Sequence, residues 1–113
     1  MKVQFLAGQA ACLVVCMTGS LQVLGQFTQT ESFQASGCCP WCGENIESAL
    51  DVKGVKYAVW DQYEQRVTVK YRPRKTPLKD LQRLVAAKGH DTDAFLAPDS
   101  AYLALPACCH YRD

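Results

Sequence analysis

Three thiols stand within five positions, in the stretch Ser36-Gly37-Cys38-Cys39-Pro40-Trp41-Cys42. Cys39 and Cys42 form a C-x-x-C pair, and one helical turn after Cys39 brings both sulfurs toward one point. Pro40 has a preset φ and no N–H to lose, so it suits the first position of a helix. Thiols at a helix N-terminus face the positive end of its dipole, which favours thiolate. Thiolate binds soft metal ions and attacks disulfides, so the pair points to metal binding or to thiol–disulfide exchange. A plain disulfide between Cys39 and Cys42 is the third choice, and so short a loop gains little from closure.

The elements that must position these thiols follow from the hydrophobic pattern. Thr30–Ser36 alternates, with Phe33 and Ala35 on one face, and reads as a first strand ending at Gly37. Pro40–Lys53 reads as a helix with Ile46, Ala49 and Leu50 on a buried stripe and Gly54 as its stop. Val55–Asp61 and Gln65–Tyr71 alternate on either side of a short connection, as in a hairpin. Val55, Tyr57 and Val59 are expected inward, with Lys56, Ala58 and Trp60 on a mostly polar outer face left in water, where Tyr102 and Leu103 of the tail would cover Trp60. Thr76-Pro77 opens a second helix striped by Leu78, Leu81, Leu84 and Val85 and stopped by Gly89. Thr92–Ala97 is expected to be a fourth strand. The order βαββαβ gives an α+β class: a ferredoxin-like sandwich, with a four-stranded antiparallel sheet and two helices on one face.

The flanks differ from this unit. Residues 1–25 have a short basic start and an apolar run from Phe5 to Met17, and read as a signal peptide cleaved near Gly25. The apolar run is short for a spanning anchor, and bulky Val15 suits a lipoprotein reading at Cys16 poorly. Residues 26–97 are then the domain, and 98–113 a tail carrying Cys108, Cys109 and His110. Lysine and arginine total 12 against 11 acidic residues, and without Lys2 the mature chain is balanced. That balance speaks against a nucleic-acid or anionic-membrane partner. Of seven cysteines, five remain after the leader, in two tight clusters. An odd, clustered set makes a poor disulfide framework.

Residues 30–97 resemble the heavy-metal-associated (HMA) domain of soft-metal chaperones, metal-pump modules and the periplasmic mercury-binding protein. The match rests on Cys39 and Cys42 between the first strand and first helix, on Gly54-Val55 entering the second strand, and in part on Gly89-His90. Where that family usually has Met two positions before the first cysteine, this chain has Gly37; where it has an aromatic after the closing glycine, this chain has His90. The resemblance implies an exported, monomeric metal carrier with no catalysis, in the periplasm or secreted. Its partner would be a membrane metal transporter or efflux component.

Two thiolates with no acidic neighbour suit Cu(I) or Hg(II), which accept near-linear coordination, ahead of Zn, Cd or Pb. Cys39 and Cys42 are the principal candidate ligands. Cys38 is either a further thiolate or a small packed residue. The expected topology brings His90 near the loop, as a ligand, a hydrogen-bonding neighbour or an exposed histidine. Between Ala97 and Cys108 the chain reaches roughly 35 Å when extended. Cys108, Cys109 and His110 could therefore fold back as ligands, act as a separate arm, or pin the tail through a disulfide to Cys38. The rival function is a thiol–disulfide oxidoreductase built on Cys39-Pro40-Trp41-Cys42. It would want a cis-proline loop facing the motif and a different element order.

Overall fold

A computed structural model describes residues 27–112. The expected signal peptide lies outside the described residues. Three strands, β1 (Gln29–Gln34), β2 (Val55–Asp61) and β3 (Arg66–Tyr71), and two ten-residue helices, α1 (Pro40–Ala49) and α2 (Leu78–Ala87), alternate in the order β1-α1-β2-β3-α2. A short helix α3 (Asp99–Leu103) and a 3₁₀ turn (Ala107–Cys109) follow. The strands lie β1-β3-β2, all antiparallel, with Phe33 opposite Val67 and Glu31 opposite Val69 across the β1–β3 pair.

Alternation places Phe33, Val67, Val69 and Tyr71 on one sheet face, where they bury against Ile46 of α1, Leu50 just after it, and Leu81 and Val85 of α2. Removing these side chains from water is the main stabilising term, about 1.5–3 kcal/mol for each large aliphatic. Gly89, with positive φ, follows the C-cap of α2 and closes it as expected; Gly54 also has positive φ but lies past the end of α1 and does not stop it. Helix α1 stops at Ala49, short of Lys53, because the Leu50, Asp51 and Val52 N–H groups already fold back in tight turns. Thr76 does not cap α2. Pro77 holds the N-cap position, and the Thr76 hydroxyl donates to the Lys53 carbonyl, tying the two helix ends together.

Two expectations are corrected. The sheet has three strands, and the fourth is reduced to a single antiparallel bridge, Thr92 with Ala35, at the outer edge of β1. The segment spends its donors locally. Thr92 N donates to Phe95 O, Ala94 N and Phe95 N donate to the Thr92 hydroxyl, and Ala97 N donates to Asp91 Oδ1. Pro98 has no N–H to offer. The second correction is the facing of β2. Val55 pairs with Tyr71 and Tyr57 with Lys70, so an extra residue is inserted at Lys56. A one-residue bulge exchanges the two faces beyond it. Trp60 is therefore buried and Ala58 half-buried, while Tyr57 and Val59 face out. Leu103 is exposed.

The tail packs on this unit. Tyr102, Leu105 and Cys109 are buried in the same cluster as Phe33, Cys42 and Trp60.

Candidate metal centre

The loop between β1 and α1 is fixed on all sides through its backbone. Ala35 N donates to Gln65 O, Ser36 N to Asp91 O, and Gly37 N to Gln65 Oε1, at 2.9–3.0 Å. Trp60 Nε1–H donates to Ala35 O at 2.9 Å. Gly37 is required here by space. A Cβ on it would sit 2.8 Å from the Cys42 Cβ and 3.0 Å from the Trp60 ring. The indole thus occupies the volume that a longer side chain at position 37 would need.

Cys39 is the N-cap of α1, with extended backbone at φ −156°, and Cys42 N donates to its carbonyl. The following turn brings Cys42 Sγ to 3.5 Å from Cys39 Sγ. Cys42 is fully buried, Cys39 half-buried and Cys38 exposed. From the other side comes the tail, with Cys109 Sγ 2.8 Å and Cys108 Sγ 3.8 Å from Cys39 Sγ. Cys109 is fully buried and Cys108 exposed. The thiols thus form two groups of three, Cys38–Cys39–Cys42 and Cys39–Cys108–Cys109, and Cys39 belongs to both. All five are free thiols, so no disulfide to Cys38 pins the tail. The Cys38 thiol instead donates to the Cys108 carbonyl at 2.8 Å.

This packing divides the thiols electrostatically. Burial pushes the Cys39 thiol up. Hydrogen bonding with Cys109, the Cys42 backbone, and the Cys42 and Cys108 thiols outweighs it and brings Cys39 down to about 7. Burial, and then the hydrogen bond to Cys39, push Cys109 far up. Desolvation and the neighbouring Cys42 and Cys39 hold Cys38 at about 11. Among these three thiols, Cys39 is the one whose surroundings favour the thiolate. Such a centre offers soft sulfur donors and, in both groups, no carboxylate.

His90 does lie beneath the loop, completely buried, but its ring nitrogens are both engaged. Nδ1–H donates to Ser36 O at 2.8 Å, and Nε2 accepts from Asn45 Nδ2 at 3.0 Å. Burial lowers its pKa, with the Ser36 hydrogen bond opposing, so the neutral ring is favoured. It positions the loop and offers no free nitrogen to an ion. His110 is likewise outside both thiol groups. Its Nε2–H donates to Leu105 O at 2.9 Å, and its ring packs on Tyr102. Trp41 stands partly exposed beside the cluster.

What the sequence analysis missed is the anchor of the tail. Arg112 donates to both Asp91 oxygens at 2.6 and 3.1 Å, to Asp99 Oδ1 at 3.1 Å and to Ala97 O at 2.9 Å, and its guanidinium lies 4.5 Å over the Tyr102 ring. The Tyr111 hydroxyl donates to Gly89 O and accepts from Asp91 N, at 2.7 and 2.8 Å. A signal was present: Tyr102, Leu105 and Tyr111 carry more apolar surface than a free polar arm would.

No family model and no curated protein matches the sequence. Solved structures do. CopZ metallochaperone is 26% identical with a TM-score of 0.55 over 57% of this chain and 98% of its own. The N-terminal domain of a potential copper-translocating P-type ATPase from Bacillus subtilis, solved in the Cu(I)-loaded state, is 29% identical with a TM-score of 0.56, over 58% of this chain and 85% of that one. Oxidized MerP from Ralstonia metallidurans CH34, at 23% identity and a TM-score of 0.56 over 59% and 96%, shares the fold. With its C-x-x-C at the junction of β1 and α1 and its two helices on one face of an antiparallel sheet, this chain has the fold of the heavy-metal-associated (HMA) domains.

Proposed function

We propose that this chain is a carrier for one soft metal ion, Cu(I) or Hg(II), bound by Cys39 and Cys42 and handed on by ligand exchange. The observation that carries this is the pair of sulfurs 3.5 Å apart at the start of α1. The solved relatives support it, since those that are at least 25% identical include a metallochaperone and a Cu(I)-loaded pump domain. Two thiolates satisfy an ion that accepts near-linear coordination, whereas Zn takes four ligands. Exchange is feasible because the half-buried Cys39 is flanked by the exposed Cys38 and Cys108, leaving a side from which a partner's thiol reaches the ion.

The partner in this reading is a membrane metal transporter or efflux component, met in the periplasm or outside the cell after removal of the leader. The chain acts as a monomer and performs no catalysis. Thiol–disulfide exchange is the weaker reading, because the order β1-α1-β2-β3-α2 is not the arrangement expected for it.

The test is anaerobic titration of the reduced chain with Cu(I) against a chromophoric chelator. One ion per chain is expected, with binding lost in Cys39→Ser. Full binding in that variant, or activity in a disulfide-reduction assay without metal uptake, would refute the carrier.

A further inference from the structure

The C-terminal cysteines are held in place before any ion arrives. The Asp91–Arg112 pair, the Tyr111 hydroxyl between Gly89 and Asp91, and Tyr102 beneath the guanidinium form one continuous anchor. Gly89 lets the tail approach closely, since a Cβ there would lie 2.8 Å from the Ala101 carbonyl. The same Asp91 accepts the Ser36 N–H through its own carbonyl, so the anchor and the thiol loop share a residue. Cys109 emerges from this anchor fully buried, 2.8 Å from Cys39. Cys108 points to solvent and lies farther off, at 3.8 Å.

We propose that Cys109 is the third ligand of the metal centre, so that one thiophilic ion is closed in by Cys39 and Cys42 from the loop and Cys109 from the tail. The inference rests on the carrier reading above and adds to it a coordination number and a route of release. At a metal–sulfur distance of about 2.3 Å, three sulfurs around one ion stand roughly 4 Å apart. The Cys39–Cys42 spacing of 3.5 Å is near that value; Cys109 Sγ, 2.8 Å from Cys39 and in a different close group from Cys42, must withdraw from Cys39 by about 1 Å and swing toward Cys42 as the ion binds, a χ1 adjustment. The ion then takes the place of the thiol protons, which leave to solvent as the sulfurs bind. Because the tail is already ordered, this third sulfur joins without the entropy cost of folding an arm onto the site. The tail acts as an internal counterpart of a partner's thiol. It shields the ion in the resting carrier, and release requires an incoming thiol to displace Cys109.

X-ray absorption at the copper edge, on the reduced full chain loaded with one equivalent of Cu(I), reads the sulfur count directly. Three sulfurs are expected in the unaltered chain, two in Cys109→Ser and three in Cys108→Ser. Chelator competition should show Cys109→Ser binding roughly 10- to 100-fold more weakly, the scale on which metal sites respond to loss of a supporting group. Two sulfurs in the unaltered chain would overturn the proposal, and that result does not depend on any variant folding. Three sulfurs retained in Cys109→Ser, or two ions per chain bridged by Cys39, would overturn it as well. Undiminished binding in Cys39→Ser would instead bring down the carrier reading beneath it, so the two failures are distinguishable.

Discussion

The cysteine loop and the C-terminal tail bring sulfur to the same point but are held by different forces. The loop is held by backbone hydrogen bonds and by close packing against Trp60. Its two central thiols meet because a helix starts between them, so their spacing follows from local geometry. The tail is held by side chains: one guanidinium, two carboxylates and two tyrosines, all far from Cys39 in sequence. Nothing local places Cys109. A site built this way has a rigid half and a half whose position depends on a few polar contacts.

The comparison is broken most severely by Arg112→Ala. It leaves Asp91 without its charged partner in a setting where Asp91 is about one-fifth exposed. Loss of the charge-assisted hydrogen bonds from Arg112 destabilises the anchored tail. Urea denaturation should show that loss, and Cys109 should become reactive toward a thiol reagent while Cys42 stays protected. Equal release of both thiols would mean that the tail and the loop unfold together.

A smaller effect is expected from Gly89→Ala. The position has φ +110°, and the added Cβ meets the Ala101 carbonyl at 2.8 Å and Leu105 at 3.0 Å. Backbone strain of this kind costs about 1–3 kcal/mol. The melting temperature should fall, and hydrogen exchange should rise first in α3 and the tail.

The smallest effect sharpens the contrast through titration. Absorbance of thiolate should show Cys39 ionising near 7, below its ordinary value of 9.0, and Cys38 near 11. A thiol whose pKa is lowered by folding stabilises the fold fully above pH 9. That contribution declines as pH falls through about 7. Cys109→Ala removes one of several hydrogen-bond partners of the Cys39 sulfur. The Cys39 midpoint should move up accordingly. An unmoved midpoint would mean that the loop alone lowers the Cys39 pKa.

The outcomes along the chain divide the same way. The β1–α1 junction, the buried stripes of both helices and the β2–β3 hairpin were legible because each is a local pattern of period two or period 3.6. The facing of β2 was not. Val55, Tyr57 and Val59 are as apolar a set as Ala58 and Trp60, and only the bulge opposite Lys70 and Tyr71 decides which points inward. The fourth strand failed because Thr92 and Asp91 capture N–H groups that a ladder would need. His90 was correctly placed under the loop, but its nitrogens could be assigned only once Ser36 and Asn45 were seen beside it.

By itself, then, the chain determined a pair of soft donors at a helix start, since three-residue spacing and a first-turn proline act over one turn of backbone. Only the tertiary structure decided that a third sulfur reaches Cys39. That contact spans 70 positions and depends on Arg112, Tyr102 and Tyr111 finding partners in the folded state. Such long-range partners leave no periodic trace in the sequence.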